Sequence, residues 1–495
     1  MSNIDIFIIC IYLLTIFSFG IIMRKNVSNF SNFMIANQNL PLSLGVTSML
    51  GTELGLITVM YNSQTGALQY FSAFHIGLFG FFVTLTVGMS GFVVEKLRKL
   101  NIKSIPEFYG QRFGKKTRIL GAFLLVIGGM LNMGIFLNIG AKFIQGVFGF
   151  ESNDDSLKII MLILLLVVLC YTMMGGMLSV IVTDYFQFVV LSFGLIFCVI
   201  FSIKTIGWNN IFSSVEALSN NPYNPFVSKG TSYVFWQMVL AFVSAVVWPT
   251  AITRALTLKN SELVKKQYLW SSISFLIRFM IPCFIGICAY VYFNSKNLNI
   301  DTLMLMPRFL VEILPVGLLG LVIAGMLSAF MSTHDSYLLC WSTIITNDII
   351  EPLSGKRLKS KLKINLSRFI ILILGLYILY WGLFYKGTDS IWSYLGITGA
   401  IYFTGAITVL ISGLYWKGAS QTGAILALTG GLSALIGLEP IRNALSIPIQ
   451  IGGGIRSENI AKSYFELGAD FLIIGSYAVS NTQEVKNLAE NYKQK

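Results

Sequence analysis

Residues 48–58 read SMLGTELGLIT, and this stretch decides which kind of fold the chain can adopt. It lies inside a long apolar run, yet it carries the carboxylate of Glu53 between two glycines, Gly51 and Gly55. A glycine pair lets a helix unwind, and unwound carbonyls inside a membrane coordinate cations in transporters with broken helices. Close packing of a neighbouring helix on the two glycines is the alternative. We favour the broken helix and keep the packing interpretation beside it.

The composition around this stretch is that of a membrane protein. Of 495 residues, 55% are hydrophobic and only 12% are charged, whereas soluble chains carry about 25% charged residues. This excludes a soluble enzyme for most of the chain, and it excludes disorder, which requires low hydrophobicity. The net charge of +13 falls in short loops between apolar runs, so it indicates membrane topology rather than a nucleic-acid partner. The six cysteines predict neither a disulfide framework nor a zinc site.

Apolar runs of about the length that crosses a hydrocarbon core of ~30 Å recur along the chain. The twelve runs lie near residues 4–23, 42–69, 72–94, 117–147, 158–175, 177–205, 231–252, 268–293, 312–347, 366–385, 389–415 and 419–437. The first run lacks a basic n-region and a cleavage site, so it predicts a retained span rather than a signal peptide.

The charged loops orient these spans. Lys and Arg concentrate in loops 95–118, 253–267 and 351–368, which fall on one side when the first run is counted as a single span. Basic short loops mark the cytoplasmic side, and the acidic loop 148–157 falls on the other side. We therefore expect a multi-pass protein of the inner (plasma) membrane with its N-terminus outside.

Polar residues inside the spans are functional candidates, because a sealed span avoids charge. Residues 175–187 read GGMLSVIVTDYFQ; their Asp184 predicts a hard-cation ligand, or alternatively a solvated interfacial carboxylate. Residues 329–336 read AFMSTHDS and place Ser332 and Ser336 on one helix face. These hydroxyls are either cation ligands or donors to the carbonyl four residues earlier.

Arg278 and the two histidines complete the set of unusual polar residues. Arg278 lies well inside the 268–293 run, so we expect it to pair with an acid or to face a water-filled cavity, with interfacial snorkelling as the alternative. For His75 and His334, a hydrogen-bonded packing role is favoured over a proton relay.

Residues 1 to about 437 resemble the sodium:solute symporter family, which includes bacterial proline, sugar, pantothenate and sialic acid carriers. The stretches that carry the resemblance are 48–58 (the family's broken first core helix), 175–187 (its GG…TD..Q segment), 254–259 (its QR-x-L-x-x-K loop) and 331–336 (its MSTxDS segment). Thr253 stands in place of the usual Gln of the QR-x-L-x-x-K loop.

The resemblance implies an all-α polytopic fold with a LeuT-like core of two inverted five-helix repeats. The repeats would be about 42–205 and 231–415, with 4–23 preceding the core and a truncated 419–437 following it. The symporter domain would then be residues 1–437.

The resemblance also implies a sodium site between the first and eighth core helices. Its ligands would be backbone carbonyls and hydroxyls of Gly51, Leu54, Ala329, Ser332 and Thr333. A second sodium would use Asp184, Ser332, Asp335 and Ser336. Solute would lie at the break, and its candidate contacts are Thr52, Glu53, Thr58, the weaker candidate His75, and Arg278, which lies near where sugar-carrying members place a lysine.

The composition changes near Leu438, and the rest of the chain shows soluble α/β patterning. Residues 438–495 resemble the third and fourth βα units of the histidine-biosynthesis barrels, closest to the phosphoribosylformimino isomerase. By that resemblance, backbone amides of Gly453, Gly454, Gly475 and Ser476 would form half of a phosphate site. A quarter of a barrel cannot close its sheet, so we interpret this segment as an incomplete, non-functional fragment left by a gene fusion or a sequence-assembly error.

We therefore predict a secondary transporter, not an enzyme, that couples Na⁺ to symport of a small polar solute (a sugar, amino acid or organic acid) by alternating access. Its expected partners are that solute and the lipid bilayer, with no nucleic acid, and we expect a monomer. The alternative is a membrane-tethered phosphate-ligand binding or sensor protein that uses the C-terminal glycine turns. A membrane-anchored enzyme ranks lower, because the fragment lacks an acid/base pair in a complete barrel.

Overall fold

The computed structural model describes residues 2–23, 29–150, 154–219, 221–298, 300–385, 391–436, 450–452 and 471–473. Almost all of them are helical, as expected where backbone polar groups must be satisfied inside a bilayer. Among these residues, eight helical stretches are long and apolar enough to cross a membrane. Other predicted spans are divided or short. Residues 42–69 form two helices, and the last helix has 16 residues.

In the described part of the chain before residue 207, there are ten α-helices. They are α1 (Asn3–Met23), α2 (Phe30–Ile35), α3 (Leu42–Glu53), α4 (Leu56–Gln69), α5 (Phe74–Ser90), α6 (Val94–Lys99), α7 (Ile105–Phe113), α8 (Lys115–Gly134), α9 (Phe136–Phe148) and α10 (Asp154–Ile206). Among the described residues, two 3-10 turns (Ala36–Gln38 and Tyr70–Ala73) lie between them. Gly176 has φ 63° and interrupts α10 between the predicted spans 158–175 and 177–205.

The second half repeats this order. Its helices are α11 (Trp208–Leu218), α12 (Pro225–Ser228), α13 (Thr231–Val247), α14 (Pro249–Leu256), α15 (Ser261–Ser295), α16 (Thr302–Ile313), α17 (Leu318–Ile344), a π-helix (Ile345–Ile350), α18 (Glu351–Ser354), α19 (Ser360–Phe384), α20 (Ile391–Tyr415) and α21 (Gln421–Ile436). The short strands β1 (Gln450–Gly452) and β2 (Phe471–Ile473) pair in parallel.

The two halves correspond element by element. The broken pair α3/α4 matches the broken pair α13/α14, α5 matches α15, α8 with α9 matches α17, and the two parts of α10 match α19 and α20. The repeats also pack on one another, since α5 lies along its counterpart α15 and α10 lies along α17. The fold is therefore the LeuT-like pair of five-helix repeats that the resemblance implies.

Close helix contacts fix how the repeats meet. A Cβ added to Gly286 of α15 would lie 2.0 Å from the carbonyl oxygen of Ser63 in α4, and one added to Gly66 would lie 2.1 Å from that of Cys283. Small residues let membrane helices approach this closely. The contact holds α15 closely along α4.

A polar anchor attaches α1 to the repeats. The buried Asp5 accepts hydrogen bonds from the backbone amides of Gly317 at 2.7 Å and Gly320 at 2.9 Å. These amides lie at the start of α17, where the first N–H groups lack partners within the helix and the helix dipole favours an anion. Asp5 therefore attaches α1 to α17, the helix that carries most of the predicted sodium ligands.

Candidate functional site

The first helix of the first repeat is broken where its glycines predict. Helix α3 ends at Glu53, Leu54 (φ −94°, ψ 65°) is neither helical nor extended, Gly55 (φ −92°, ψ 171°) is extended, and α4 begins at Leu56. The last carbonyls of α3 therefore lack the amide that a continuous helix provides four residues later. The hydroxyl of Thr58 crosses the break and donates to the carbonyl of Glu53 at 2.8 Å.

The break lies directly against α17. A Cβ added to Gly55 would lie 1.9 Å from Oγ1 of Thr333 and 3.4 Å from the carbonyl oxygen of Ala329. Thr333 donates to that same carbonyl at 3.0 Å. Only glycine permits this approach, which brings the break next to two predicted sodium ligands.

Two other predicted ligands of the first sodium site, Gly51 and Ser332, meet at Asp184 of α10. A Cβ added to Gly51 would lie 2.8 Å from the carbonyl oxygen of Asp184, and Ser332 donates to Oδ1 of Asp184. Leu54 and Ser332 are buried. The crossing thus gathers carbonyl and hydroxyl oxygens, which suit a hard monovalent cation.

Asp184 is the centre of a buried polar cluster. Its Oδ2 accepts hydrogen bonds from Ser48 at 2.8 Å and Thr52 at 3.2 Å, both in α3. Its Oδ1 accepts from Ser332 in α17. Burying a carboxylate is costly unless hydrogen bonds and a counter-charge compensate it. The counter-charge comes from Arg254 in α14, whose Nη2 lies 3.4 Å from Oδ2 of Asp184.

The positions predicted for a second sodium surround this cluster. Ser336 lies 3.3 Å from the hydroxyl of Thr52 and accepts from Arg254 at 2.6 Å. Asp335 is fully buried; its Oδ1 lies 3.4 Å from Ser336, and its Oδ2 has no hydrogen-bond partner among the described residues. The structure therefore brings all four predicted ligands together, with an arginine among them.

A cavity lies beside the break, and Thr333 forms part of its wall. It is lined by Glu53, Thr58 and Arg278, and Arg278 forms an ion pair with Glu53 across it. The guanidinium also lies over the ring of Phe275, 3.7 Å from its centroid. Aromatic side chains make up much of the remaining wall: Tyr61, Phe136, Trp248, Tyr268, Phe279, Tyr337, Trp392 and Phe403.

The predicted solute contacts fall into three groups. Glu53, Thr58 and Arg278 line the cavity. Thr52 also borders it, but its hydroxyl is bonded into the Asp184 cluster. His75 lies outside the lining; its Nδ1 is 2.5 Å from the carbonyl oxygen of Ser72, and its ring packs on Tyr233.

The predicted phosphate half-site of Gly453, Gly454, Gly475 and Ser476 lies outside the described residues. The parallel pairing of β1 with β2 is the arrangement that a βα unit predicts.

Two features of the site were not predicted. The first helix of the second repeat is also broken, because Trp248 is extended (φ −64°, ψ 120°) between α13 and α14. Pro249 signals this break, since proline disfavours helical geometry in the residue before it. The insertion of Arg254 into the Asp184 cluster is the second feature. From the sequence, Arg254 belongs to the basic loop 253–267, whereas the structure places it in helix α14 with its side chain buried.

Inverted five-helix repeats that begin with broken helices are typical of secondary transporters, in which ions and solute bind near the breaks. The sequence model of the sodium:solute symporter family matches residues 46–431, and the chain belongs to that family. It is therefore a multi-pass membrane transporter rather than an enzyme, and the family supports Na⁺ as its coupling ion. The model described as histidine biosynthesis protein matches residues 428–495, so the two matches meet inside α21.

Individual relatives are distant. A sodium/proline symporter 2 of Staphylococcus saprophyticus is 24% identical over 359 residues, which are 67% of this chain and 65% of the relative. The match thus spans just under two thirds of that protein. A sodium/sialic acid symporter of Aliivibrio fischeri is 26% identical over 384 residues, 74% of this chain and 73% of the relative.

Solved structures support the fold. The structure of a substrate-bound, outward-open Na⁺-coupled sialic acid symporter has a TM-score of 0.71 at 19% identity, covering 88% of this chain and 98% of that one. The structure of MhsT with L-phenylalanine has a TM-score of 0.55 at 14% identity, covering 79% and 97%.

Proposed function

We propose that the chain couples Na⁺ to the symport of a small zwitterionic solute into the cell by alternating access. The observation that carries the proposal is the contact of Gly55 with Thr333 and Ala329. It places unwound backbone of the first repeat against helix hydroxyls of the second. The proposed ligands of this sodium are Gly51, Leu54, Ala329, Ser332 and Thr333.

A cation at this crossing has the property that coupling requires. An ion shifts a conformational equilibrium only through different affinities for the two states. Ligands divided between α3 and α17 stay together only while the two helices keep this crossing. One Na⁺ entering down 100 mV releases about 2.3 kcal/mol before any concentration gradient.

The ion pair of Glu53 and Arg278 supports a zwitterionic solute. Both side chains border the cavity and are mostly buried, at 15% and 12% exposed. A solute with one carboxylate and one ammonium group can exchange partners with this pair without leaving a net charge in the cavity. The aromatic wall then suits an apolar side chain. A sugar would leave the internal ion pair in place and bind by hydrogen bonds instead.

Uptake into proteoliposomes tests the proposal. We expect an inward Na⁺ gradient to drive accumulation of ³H-labelled neutral amino acids, supplied as a mixture, several-fold above a K⁺ gradient of equal ionic strength. Labelled glucose and labelled succinate serve as the neutral and anionic comparisons. Na⁺-driven uptake of glucose or succinate, without uptake of the amino acids, would contradict the proposal that the solute is zwitterionic. Equal uptake in Na⁺ and K⁺ would refute the coupling.

Three further assignments extend the proposal. The symporter domain is residues 1–437, with repeats at about 42–205 and 231–415, and residues 438–495 are an appended βα fragment that takes no part in transport. The chain is a monomer of the plasma membrane. Its N-terminus is outside, because the basic loops 95–118, 253–267 and 351–368 then all face the cytoplasm.

A further inference from the structure

A groove on the lateral surface of the helix bundle lies between α5 and α13. It is lined by Phe79, Phe82 and Val87 of α5 and by Met238 and Phe242 of α13. Phe82 and Met238 are 58% and 40% exposed, although both helices belong to stretches that are apolar enough to cross a membrane. The groove therefore opens to the hydrocarbon of the bilayer, and it shares no lining residue with the solute cavity.

The chemistry and length of the groove fit a hydrocarbon chain. Its two hydroxyl groups donate within their own helix, Thr86 to the carbonyl of Phe82 at 2.8 Å and Ser90 to the carbonyl of Thr86 at 2.7 Å. From Phe79 to Ser90 the helix rises by about 16 Å at 1.5 Å per residue. One leaflet contributes about 15 Å, half of a hydrocarbon core of ~30 Å. The groove thus has the length of one acyl layer.

The end of the groove at Ser90 is basic. Phe92 lines this end, and its ring stacks on Tyr415 with 5.4 Å between the centroids. The ammonium of Lys96 lies over the same Tyr415 ring, 3.5 Å from its centroid. A Cβ added to Gly91 would lie 3.2 Å from Cδ of Lys265 in α15. Two lysines from different helices therefore flank the place where the apolar groove ends.

The charges of these two lysines are not compensated by the protein. Glu95 also lies beside Gly91, but it forms an ion pair with Lys99 at 2.7 Å. In the part of the chain that the structure describes, no carboxylate lies within ion-pair distance of Lys96 or Lys265. Basic residues at the membrane surface next to spanning helices attract anionic lipid headgroups.

We propose that the groove between α5 and α13 binds an acyl chain of an anionic phospholipid, with the lipid phosphate held between Lys96 and Lys265. This site is independent of the proposed sodium and solute sites. A zwitterionic lipid offers the same chain but carries its own ammonium, so it gains less from the lysines. In a twofold dimer formed across this groove, each copy would bring the same two lysines to the same depth, and these like charges favour a lipid over a second copy.

Native mass spectrometry of the full-length chain in detergent tests the proposal. The probes are phosphatidylglycerol and phosphatidylcholine with identical acyl chains. We expect the first phosphatidylglycerol to bind roughly ten-fold more tightly than the first phosphatidylcholine. Lys96→Gln combined with Lys265→Gln should lower the affinity for phosphatidylglycerol to that for phosphatidylcholine, which should itself stay unchanged. Thr86→Trp fills the groove and should weaken the binding of both lipids.

Lys359→Gln combined with Lys361→Gln is the matched control, because these lysines are exposed in another basic loop and should leave the preference intact. Equal affinity for the two lipids in the wild type, or an unchanged preference without Lys96 and Lys265, would overturn the inference. Displacement of phosphatidylglycerol by millimolar glycerol phosphate would also overturn it, since the ligand would then be a free phosphate ester. A dimer that Thr86→Trp abolishes would assign the groove to a second copy of the chain instead.

Discussion

Replacing Asp184 by asparagine is expected to lower the free energy of unfolding by roughly 3–5 kcal/mol, because it leaves the buried charge of Arg254 without its carboxylate. Asp184 is fully buried, accepts hydrogen bonds from Ser48, Thr52 and Ser332, and is the carboxylate within 3.4 Å of Arg254. Thermal unfolding in detergent measures the loss as a lower melting temperature.

Two further variants isolate the charge effect. Asp184→Asn combined with Arg254→Gln removes both charges and should recover most of the lost stability. Asp155→Asn is the control, since this carboxylate is 89% exposed and pairs with Lys158 at the surface; exposed pairs contribute about 1 kcal/mol or less. Asp184→Asn chains as stable as the wild type would contradict the role given to this ion pair.

Replacing Arg278 by glutamine is expected to weaken binding of a zwitterionic solute by about 2–5 kcal/mol, since it removes the partner of the solute carboxylate and leaves Glu53 unpaired. This corresponds to roughly a 30-fold or greater rise in Kd. Glu53→Gln should produce a loss of similar size. The measurement is the rise in melting temperature on adding the transported amino acid at saturating Na⁺.

Na⁺ binding distinguishes a specific loss of solute affinity from a general destabilisation of the fold. Because the proposed sodium ligands do not include Arg278, stabilisation by Na⁺ alone should persist in both variants. Glu312→Gln disrupts a comparable pair with Lys296 at the surface, where the two side chains are 39% and 42% exposed, and should leave solute binding unchanged. If the Arg278→Gln variant binds the solute with the affinity of the wild type, the assignment of the solute site to this cavity is wrong.

Local sequence signals predicted the parts of the site that depend on local chemistry. The glycines and carboxylate of 48–58 indicated the break, and the structure places it at Leu54 and Gly55. An arginine well inside a span predicted an acidic partner or a water-filled cavity, and Arg278 both pairs with Glu53 and lines a cavity. The identity of its partner could not follow from sequence, because Glu53 lies 225 residues away.

The remaining features depend on tertiary packing. Arg254 follows an apolar run and precedes basic residues, so its sequence context is the same whether its side chain faces water or the Asp184 cluster. Only the break at Trp248, which redirects α14, brings the guanidinium to Thr52 and Ser336. The assignment of the sodium ligands to one crossing likewise came from the family resemblance rather than from residue spacing.

The central claim is that Na⁺ binds where the break meets α17, and the melting temperature against Na⁺ concentration tests it most directly. A ligand that binds only the folded state adds about 2.7 kcal/mol at a hundredfold excess over its Kd. We expect a rise in Na⁺ but not in K⁺ or choline at equal ionic strength, and its loss in Thr333→Val. Thr172→Val is the control, because Thr172 is also buried and also donates to the carbonyl four residues earlier, at 2.8 Å. A rise of equal size in K⁺, or one that survives Thr333→Val unchanged, would contradict the sodium site.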